Sequence, residues 1–91
     1  MKEFKLDMIN RIIAEARGSR IVSLHDVGVA AGYNHISAQD CRDIINAVLA
    51  ELPDYKVVKM AVPGQSAATA SLWTTAAFVD KSLEFDDGGE F

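Results

Sequence analysis

The sequence predicts an α+β domain in which helices pack on a small antiparallel sheet. Apolar residues in the first half recur at the three- and four-residue spacing of helices. Two segments of the form Ser-x-x-acid, Ser23–Asp26 and Ser37–Asp40, are typical of helix N-termini. After Pro53 the spacing changes to the alternation of strands. The 91 residues suffice for one such domain and are too few for two separate cores.

Three helices are predicted before Pro53. The first covers residues 2–17 and ends at Gly18, with Arg17 placing a positive charge in its last turn. The second is short and runs from the Ser23 cap to a turn at Gly32, and the third begins at the Ser37 cap. Their apolar faces consist of Leu6, Ile9, Ile12, Ile13 and Ala16 in the first helix, Leu24 and Val27 in the second, and Cys41, Ile44, Ile45, Val48, Leu49 and Leu52 in the third.

The remaining segments predict strands. The β-branched residues of the segment 20–23 are typical of a very short strand, and Tyr55 to Val62 and Leu72 to Val79 are predicted as two longer ones. Between them, Pro63-Gly64 indicates a turn, and the small residues of Gln65–Ala70 are expected to form a mobile loop. The two longer strands would make a hairpin that the short strand joins as a third strand.

This order of elements is that of a winged helix-turn-helix domain, in which the hairpin is the wing. We therefore predict a winged helix over residues 1–80 and a flexible acidic tail over residues 81–91. The stretch Ser23–Gly32 also resembles the opening of the helix-turn-helix in bacterial repressors of the lac type, with a small cap, a Leu, an Asp-Val pair and Ala-Gly at the turn. The resemblance covers ten residues and departs at Tyr33–Ile36, where those repressors begin the recognition helix.

The charge is distributed unevenly along the chain. The net charge is −4, and four acids lie in the last eight residues, so that residues 1–83 hold nine basic and nine acidic side chains. The third predicted helix has Arg42 as its one basic residue, against four acids in the segment 37–54. Nucleic-acid-binding domains usually have a stronger basic excess than this.

The resemblance to a winged helix nevertheless implies double-stranded DNA as a partner. Gln39, Arg42 and Asn46 would read base edges from the third helix. Phosphate contacts are predicted for Arg17, Arg20, Lys56 and Lys59, and Lys2, Lys5 and Arg11 of the first helix are further candidates. One short recognition helix contacts few base pairs, so a DNA-binding regulator of this kind is expected to act as a homodimer.

The charge balance favours a different interpretation, a module that binds protein and not DNA. Such a module would be an adaptor or an inhibitor of a host protein, of the kind that phages and mobile elements encode. Its contacts would be Phe85, Asp86, Asp87 and Phe91 in the acidic tail, facing a basic partner surface. The tail is otherwise expected to be a disordered, solubilising end.

Other classes of function are not expected from this sequence. No nucleophile–base set, phosphate-binding glycine loop or metal-ligand spacing is present, so we expect no enzyme, cofactor, metal site or small-molecule substrate. The chain has no apolar run of the length of a membrane span, and we expect no signal peptide because acidic and polar residues interrupt the first twenty positions. Its single cysteine, Cys41, is predicted to be a core residue of a cytoplasmic protein.

Overall fold

The computed structural model describes residues 2–60 and 70–83 as a small α+β domain. The elements within those ranges are the helices α1 (Glu3–Ala16), α2 (Leu24–Ala30), α3 (Ala38–Glu51) and α4 (Leu72–Thr75) and the strands β1 (Ile21–Ser23), β2 (Tyr55–Lys59) and β3 (Ala76–Asp80).

The two predicted serine caps are confirmed. Ser23 Oγ accepts a hydrogen bond from the backbone N–H of Asp26 at 3.2 Å, and Ser37 Oγ accepts one from Asp40 at the same distance. Each bond satisfies a backbone donor that has no partner within its own helix. Between α2 and α3, Gly32 has a φ of +92°, a left-handed conformation that favours glycine, so the predicted turn is confirmed as well.

The predicted apolar face of α1 is wrong at one position. Leu6 is 50% exposed, whereas Lys5 and Met8 are buried. The buried face is rotated because Lys5, Met8, Ile9 and Ile12 also have helical spacing. A lysine is tolerated at its edge since the alkyl chain packs on apolar atoms and the amine finds acidic partners.

The sheet is antiparallel with the strand order β1-β3-β2. The short strand β1 therefore joins the longer two, as predicted, and β3 is central. Val22, Phe78 and Val57 are paired across the three strands and face the helices, where they enter the main core.

The predicted hairpin is corrected at both strands. Residues 72–75 form the helix α4 and only residues 76–80 form β3, so a fourth helix adds to the three predicted. The Ser71 side chain accepts a hydrogen bond from the Thr74 N–H, and Thr75 Oγ1 donates one to the Ser71 carbonyl at 2.8 Å. These local bonds favour a helical turn over a strand. Strand β2 ends at Lys59, and the predicted residues 61–69 of the hairpin and its loop lie outside the described residues, as do residues 84–91 of the tail.

Trp73 of α4 fixes this helix against α2. Its ring lies over Gly28, and a Cβ at Gly28 would come within 2.2 Å and 2.5 Å of two ring carbons. His25 flanks the same ring at a centroid distance of 4.9 Å. Trp73 is buried and lies so close to Gly28 that a methyl group would not fit between them. The packing of α4 against α2 therefore requires glycine at position 28.

We predict that Gly28→Ala destabilises the domain by about 1–3 kcal/mol, the usual cost of overpacking, although alanine is the better helix former. Gly18→Ala is the matched control, because nothing lies within 4 Å of the added methyl group, and we expect a change within about 0.5 kcal/mol. Urea unfolding followed by Trp73 fluorescence measures both. Equal midpoints for the two variants would contradict the packing of Trp73 on Gly28.

Candidate nucleic-acid interface

Helix α3 presents a polar face to solvent. Gln39, Arg42 and Asn46 are all exposed, and their spacing of three and four residues places them on one side of the helix. The opposite side carries buried Cys41, Ile44, Ile45 and Val48, which fix the helix to the core. The three residues predicted to read bases are therefore brought together on one exposed surface.

Two acids in the first half of α3 contact lysines at the beginning of the chain. Lys5 Nζ lies 3.0 Å from Asp40 Oδ1 and also donates to Asp43 Oδ2, and Lys2 Nζ lies 3.9 Å from Asp40. Gln39 completes the cluster by donating its Nε2 to the second oxygen of Asp43 at 3.1 Å. The charge of Lys5 thus offsets one of the two negative charges of Asp40 and Asp43 beside the exposed face, and the exposed Lys2 adds a weaker contact.

These contacts shift the titration of all three central groups. The hydrogen bonds to Asp43 and Asp40 raise the pKa of Lys5. The hydrogen bond from Lys5 lowers the pKa of Asp40 and of Asp43, and Gln39 lowers that of Asp43 further. Each group keeps its charge over a wider pH range than it would alone, so the compensation holds at neutral pH.

Arg17 and Arg20 lie at the other end of α1. Both line a shallow cavity with Tyr55 and Asp80 at the start of β2 and the end of β3. Tyr55 fixes this connection by donating its hydroxyl to the carbonyls of Ala16 and Ser19, each at 2.9 Å. Twelve residues of chain separate Lys5 from Arg17, about 18 Å along a helix, so these arginines are remote from Gln39 and Arg42.

Lys56 and Lys59 of β2 lie on opposite faces of the sheet. Lys56 pairs with Val79 on the face away from the helices, and Lys59 pairs with Ala76 on the helical face. Both side chains are partly buried. The four predicted phosphate-binding residues therefore do not form one continuous patch with the polar face of α3.

A second ion pair engages Arg11, one of the further candidates for phosphate contact on the first helix. Arg11 Nε donates to both carboxylate oxygens of Asp7, at 3.1 Å and 3.0 Å, and Tyr33 donates its hydroxyl to the same carboxylate at 2.9 Å. The Tyr33 hydrogen bond, with that of Arg11, lowers the pKa of Asp7. Arg11 is occupied here, on the side of α1 that lines a cavity with α2.

Cys41 lies in the core as predicted. Its side chain is inaccessible, and burial raises the pKa of the thiol to about 11. Among residues 2–60 and 70–83, no group of three or more His, Cys, Asp or Glu side chains is placed to hold a metal ion. The predicted contacts Phe85, Asp86, Asp87 and Phe91 of the tail lie outside the described residues.

The sequence reasoning missed the role of Lys5. On the sequence alone this lysine is a candidate phosphate contact at the surface, whereas the structure buries it to 8% exposure against α3. The signal was present, since Lys5 precedes Met8, Ile9 and Ile12 by three, four and seven residues and so shares their face of the helix. The sequence does not show that two acids of α3 lie against this face of α1.

Comparison of the chain with protein-family models, with curated proteins and with solved structures gives no match in any of the three. No helix in the described ranges is long and apolar enough to cross a membrane.

We predict that Lys5→Met lowers the urea midpoint of unfolding most between about pH 5 and 9. A carboxyl group whose pKa is lowered in the folded state stabilises the fold at pH values above its ordinary pKa of 3.8. This stabilisation is lost as the pH falls through the lowered pKa. A lysine whose pKa is raised in the folded state stabilises the fold at pH values below its ordinary pKa of 10.5. This stabilisation is lost as the pH rises through the raised pKa.

The difference between the parent and Lys5→Met should therefore shrink on acidification from about pH 7 to about pH 2.5. Lys2→Met is the matched control, because the Lys2 side chain is 68% exposed and 3.9 Å from Asp40, and we expect little change at any pH. A loss in Lys5→Met that is as large in acid as at neutral pH would assign the effect to packing and contradict the ion-pair account.

Proposed function

We propose that the chain is a small winged-helix DNA-binding regulator that acts as a homodimer. The observation that carries this proposal is the pair of serine-capped helices α2 and α3, joined at Gly32, with Arg42 and Asn46 exposed on the second. The order of elements and the β1-β3-β2 sheet are compatible with a winged helix.

The chemistry of the exposed face supports base recognition. Arginine can donate two hydrogen bonds to guanine, and asparagine can both donate to and accept from adenine in the major groove. Arg42 and Asn46 are one helical turn apart, so they can address neighbouring base pairs from one helix. Gln39 is bound to Asp43 in this structure and would have to exchange that partner for a base.

The ion pairs of Lys5 remove part of the electrostatic objection to DNA. Uncompensated acids on a recognition helix would repel phosphates, but Asp40 and Asp43 both contact the amine of Lys5, which offsets part of their charge. Arg42 then contributes positive charge at the exposed face. The same contacts also occupy Lys5, which the sequence offered as a phosphate contact.

A second function, binding to a protein partner without DNA, is favoured by the overall charge. The described residues contain nine basic and nine acidic side chains, and two of the basic ones, Lys5 and Arg11, are held within the domain. A neutral domain gains little from counterion release on DNA. On this alternative, the chain would be an adaptor or an inhibitor of a host protein.

Fluorescence anisotropy with labelled duplexes at two salt concentrations distinguishes the two functions. On the DNA proposal, the protein binds duplex at micromolar concentration in about 0.1 M salt, and the affinity falls as salt rises. Absence of binding under these conditions would overturn the DNA proposal and leave the protein-partner function.

We predict that Arg42→Ala weakens binding to a duplex selected from mixed genomic DNA by about 1–3 kcal/mol and reduces discrimination among sequences. Arg11→Ala is the matched control: it removes the same charge from the side of α1 that lies along α2, and we expect sequence discrimination to be unchanged. Equal losses in the two variants would show that α3 does not read bases.

A further inference from the structure

The two edges of the sheet differ in how their backbone groups are bonded. Strand β1 forms one edge and β2 the other, with β3 between them. In an antiparallel sheet, successive residues of an edge strand direct their N–H and C=O groups alternately towards the neighbouring strand and away from it. The groups that point away from β3 are called outward groups below.

At the β1 edge the outward groups are satisfied within the domain. Asp80 N–H donates to the Arg20 carbonyl at 2.9 Å, so Arg20 bonds to the end of β3 and Ile21 directs its backbone groups outward. Ser19 Oγ donates to the Ile21 carbonyl at 2.7 Å and accepts from the Ile21 N–H at 3.4 Å. The next outward residue, Ser23, is the N-cap of α2. This edge is therefore closed to a further strand.

At the β2 edge the outward groups belong to Val57 and Lys59. Met60 N–H donates to the Thr75 carbonyl at 2.8 Å, and by alternation from this bond Val57 and Lys59 direct their N–H and C=O groups away from β3. Among residues 2–60 and 70–83, no hydrogen bond reaches these groups. This edge can therefore accept the backbone of another chain.

The burial of Val57 agrees with its position at an open edge. Its side chain enters the main core together with those of Val22 and Phe78. Val57 nevertheless keeps 6% exposure, whereas Val22 keeps 1% and Phe78, in the central strand, keeps none. Residual exposure of a residue with a core side chain is expected where its backbone faces outward.

Two lysines flank the outward groups and select the charge of a partner. Lys56 lies on the face away from the helices and Lys59 on the helical face, and both are partly buried. Two copies paired through β2 would bring two lysines from each strand to one seam, and like charges across strands are destabilising. An extended segment with acids opposite both lysines would form favourable cross-strand pairs instead.

The backbone and the valines select a peptide. Each outward residue offers one N–H donor and one C=O acceptor, which an extended peptide matches, whereas the phosphates of a nucleic acid supply acceptors. Val57 belongs to the main core, and Val58 belongs with Ala77 and Val79 to a second apolar cluster on the other face. Apolar residues opposite Val57 and Val58 would extend both layers. The complementary segment therefore has the order acid, apolar, apolar, acid.

We propose that the β2 edge binds an extended segment of a partner protein with this order of residues, which adds to the sheet beside β2. The backbone of the segment bonds to Val57 and Lys59, and its acids pair with Lys56 and Lys59. The polar face of α3 is not part of this surface, so the proposal is independent of whether the protein binds DNA.

A fluorescein-labelled peptide with the core Glu-Val-Val-Glu between threonines tests this surface in the full chain. Fluorescence anisotropy measures its affinity, and amide hydrogen exchange followed by NMR locates it. We expect saturating peptide to slow exchange at Val57 and Lys59 by at least about tenfold and to leave Ile21 unchanged. The same peptide with methylated backbone nitrogens keeps its side chains but lacks strand donors, so we expect it to bind at least about tenfold more weakly.

The double variant Lys56→Glu/Lys59→Glu tests the charge. We expect it to bind the glutamate peptide at least about tenfold more weakly and to bind the matching Lys-Val-Val-Lys peptide in its place. This gain distinguishes a change of specificity from a failure to fold. Lys2→Glu/Arg17→Glu is the matched control, since it reverses two charges away from β2, and its affinity should stay within about twofold of the parent.

Five results would overturn the proposal. The first two are absence of peptide binding and equal binding of the methylated peptide. The third is amides of Val57 and Lys59 that are already protected in the free chain at every concentration, which would assign the edge to a segment of this chain. The fourth is protection that rises with protein concentration, which would assign it to a second copy. The fifth is protection by a DNA duplex and not by the peptide.

Discussion

The contact of Lys5 with Asp40 and Asp43 joins the beginnings of the first and third helices, above their shared apolar core, and sets the charge beside the polar face of the third. The amine is partly enclosed, so the acids must stay close to it, and α1 and α3 begin side by side. At their other ends, Tyr55 ties the end of α1 to the start of β2. The polar face of α3 is therefore held in a fixed orientation towards solvent, with Asp40 and Asp43 bound to Lys5 at its border.

That arrangement reconciles a balanced charge with the proposed role of α3 as a recognition helix. The sequence of α3 and its flanks has one basic residue, Arg42, and four acids, and this charge balance disfavours binding to DNA. In three dimensions two of these acids share Lys5 of the first helix, so the local field at Arg42 is less negative than this balance suggests. Arg17 and Arg20, which are predicted to contact phosphates, lie at the far end of α1.

Much of the fold could be predicted from local signals. The serine caps and the glycine turn depend on a few neighbouring residues, so Ser23, Ser37 and Gly32 were identified correctly. Leu72–Thr75 was mistaken for strand because Trp73 and its threonines favour strands, while tertiary packing on Gly28 and the Ser71 cap decide for helix. The three residues proposed to read bases could be placed on one face by spacing alone. The pairing of Lys5 could not, because it joins residues 38 positions apart.

A double-mutant cycle between Lys5→Met and Asp43→Asn tests most directly that Lys5 holds α3 through its acids. Urea unfolding at pH 7 would be compared for the parent, the two single variants and the double variant. The account predicts that Asp43→Asn lowers the midpoint in the parent and has little effect once Lys5 is methionine. The same loss in both backgrounds would contradict it, because Asp43 would then stabilise the fold without Lys5.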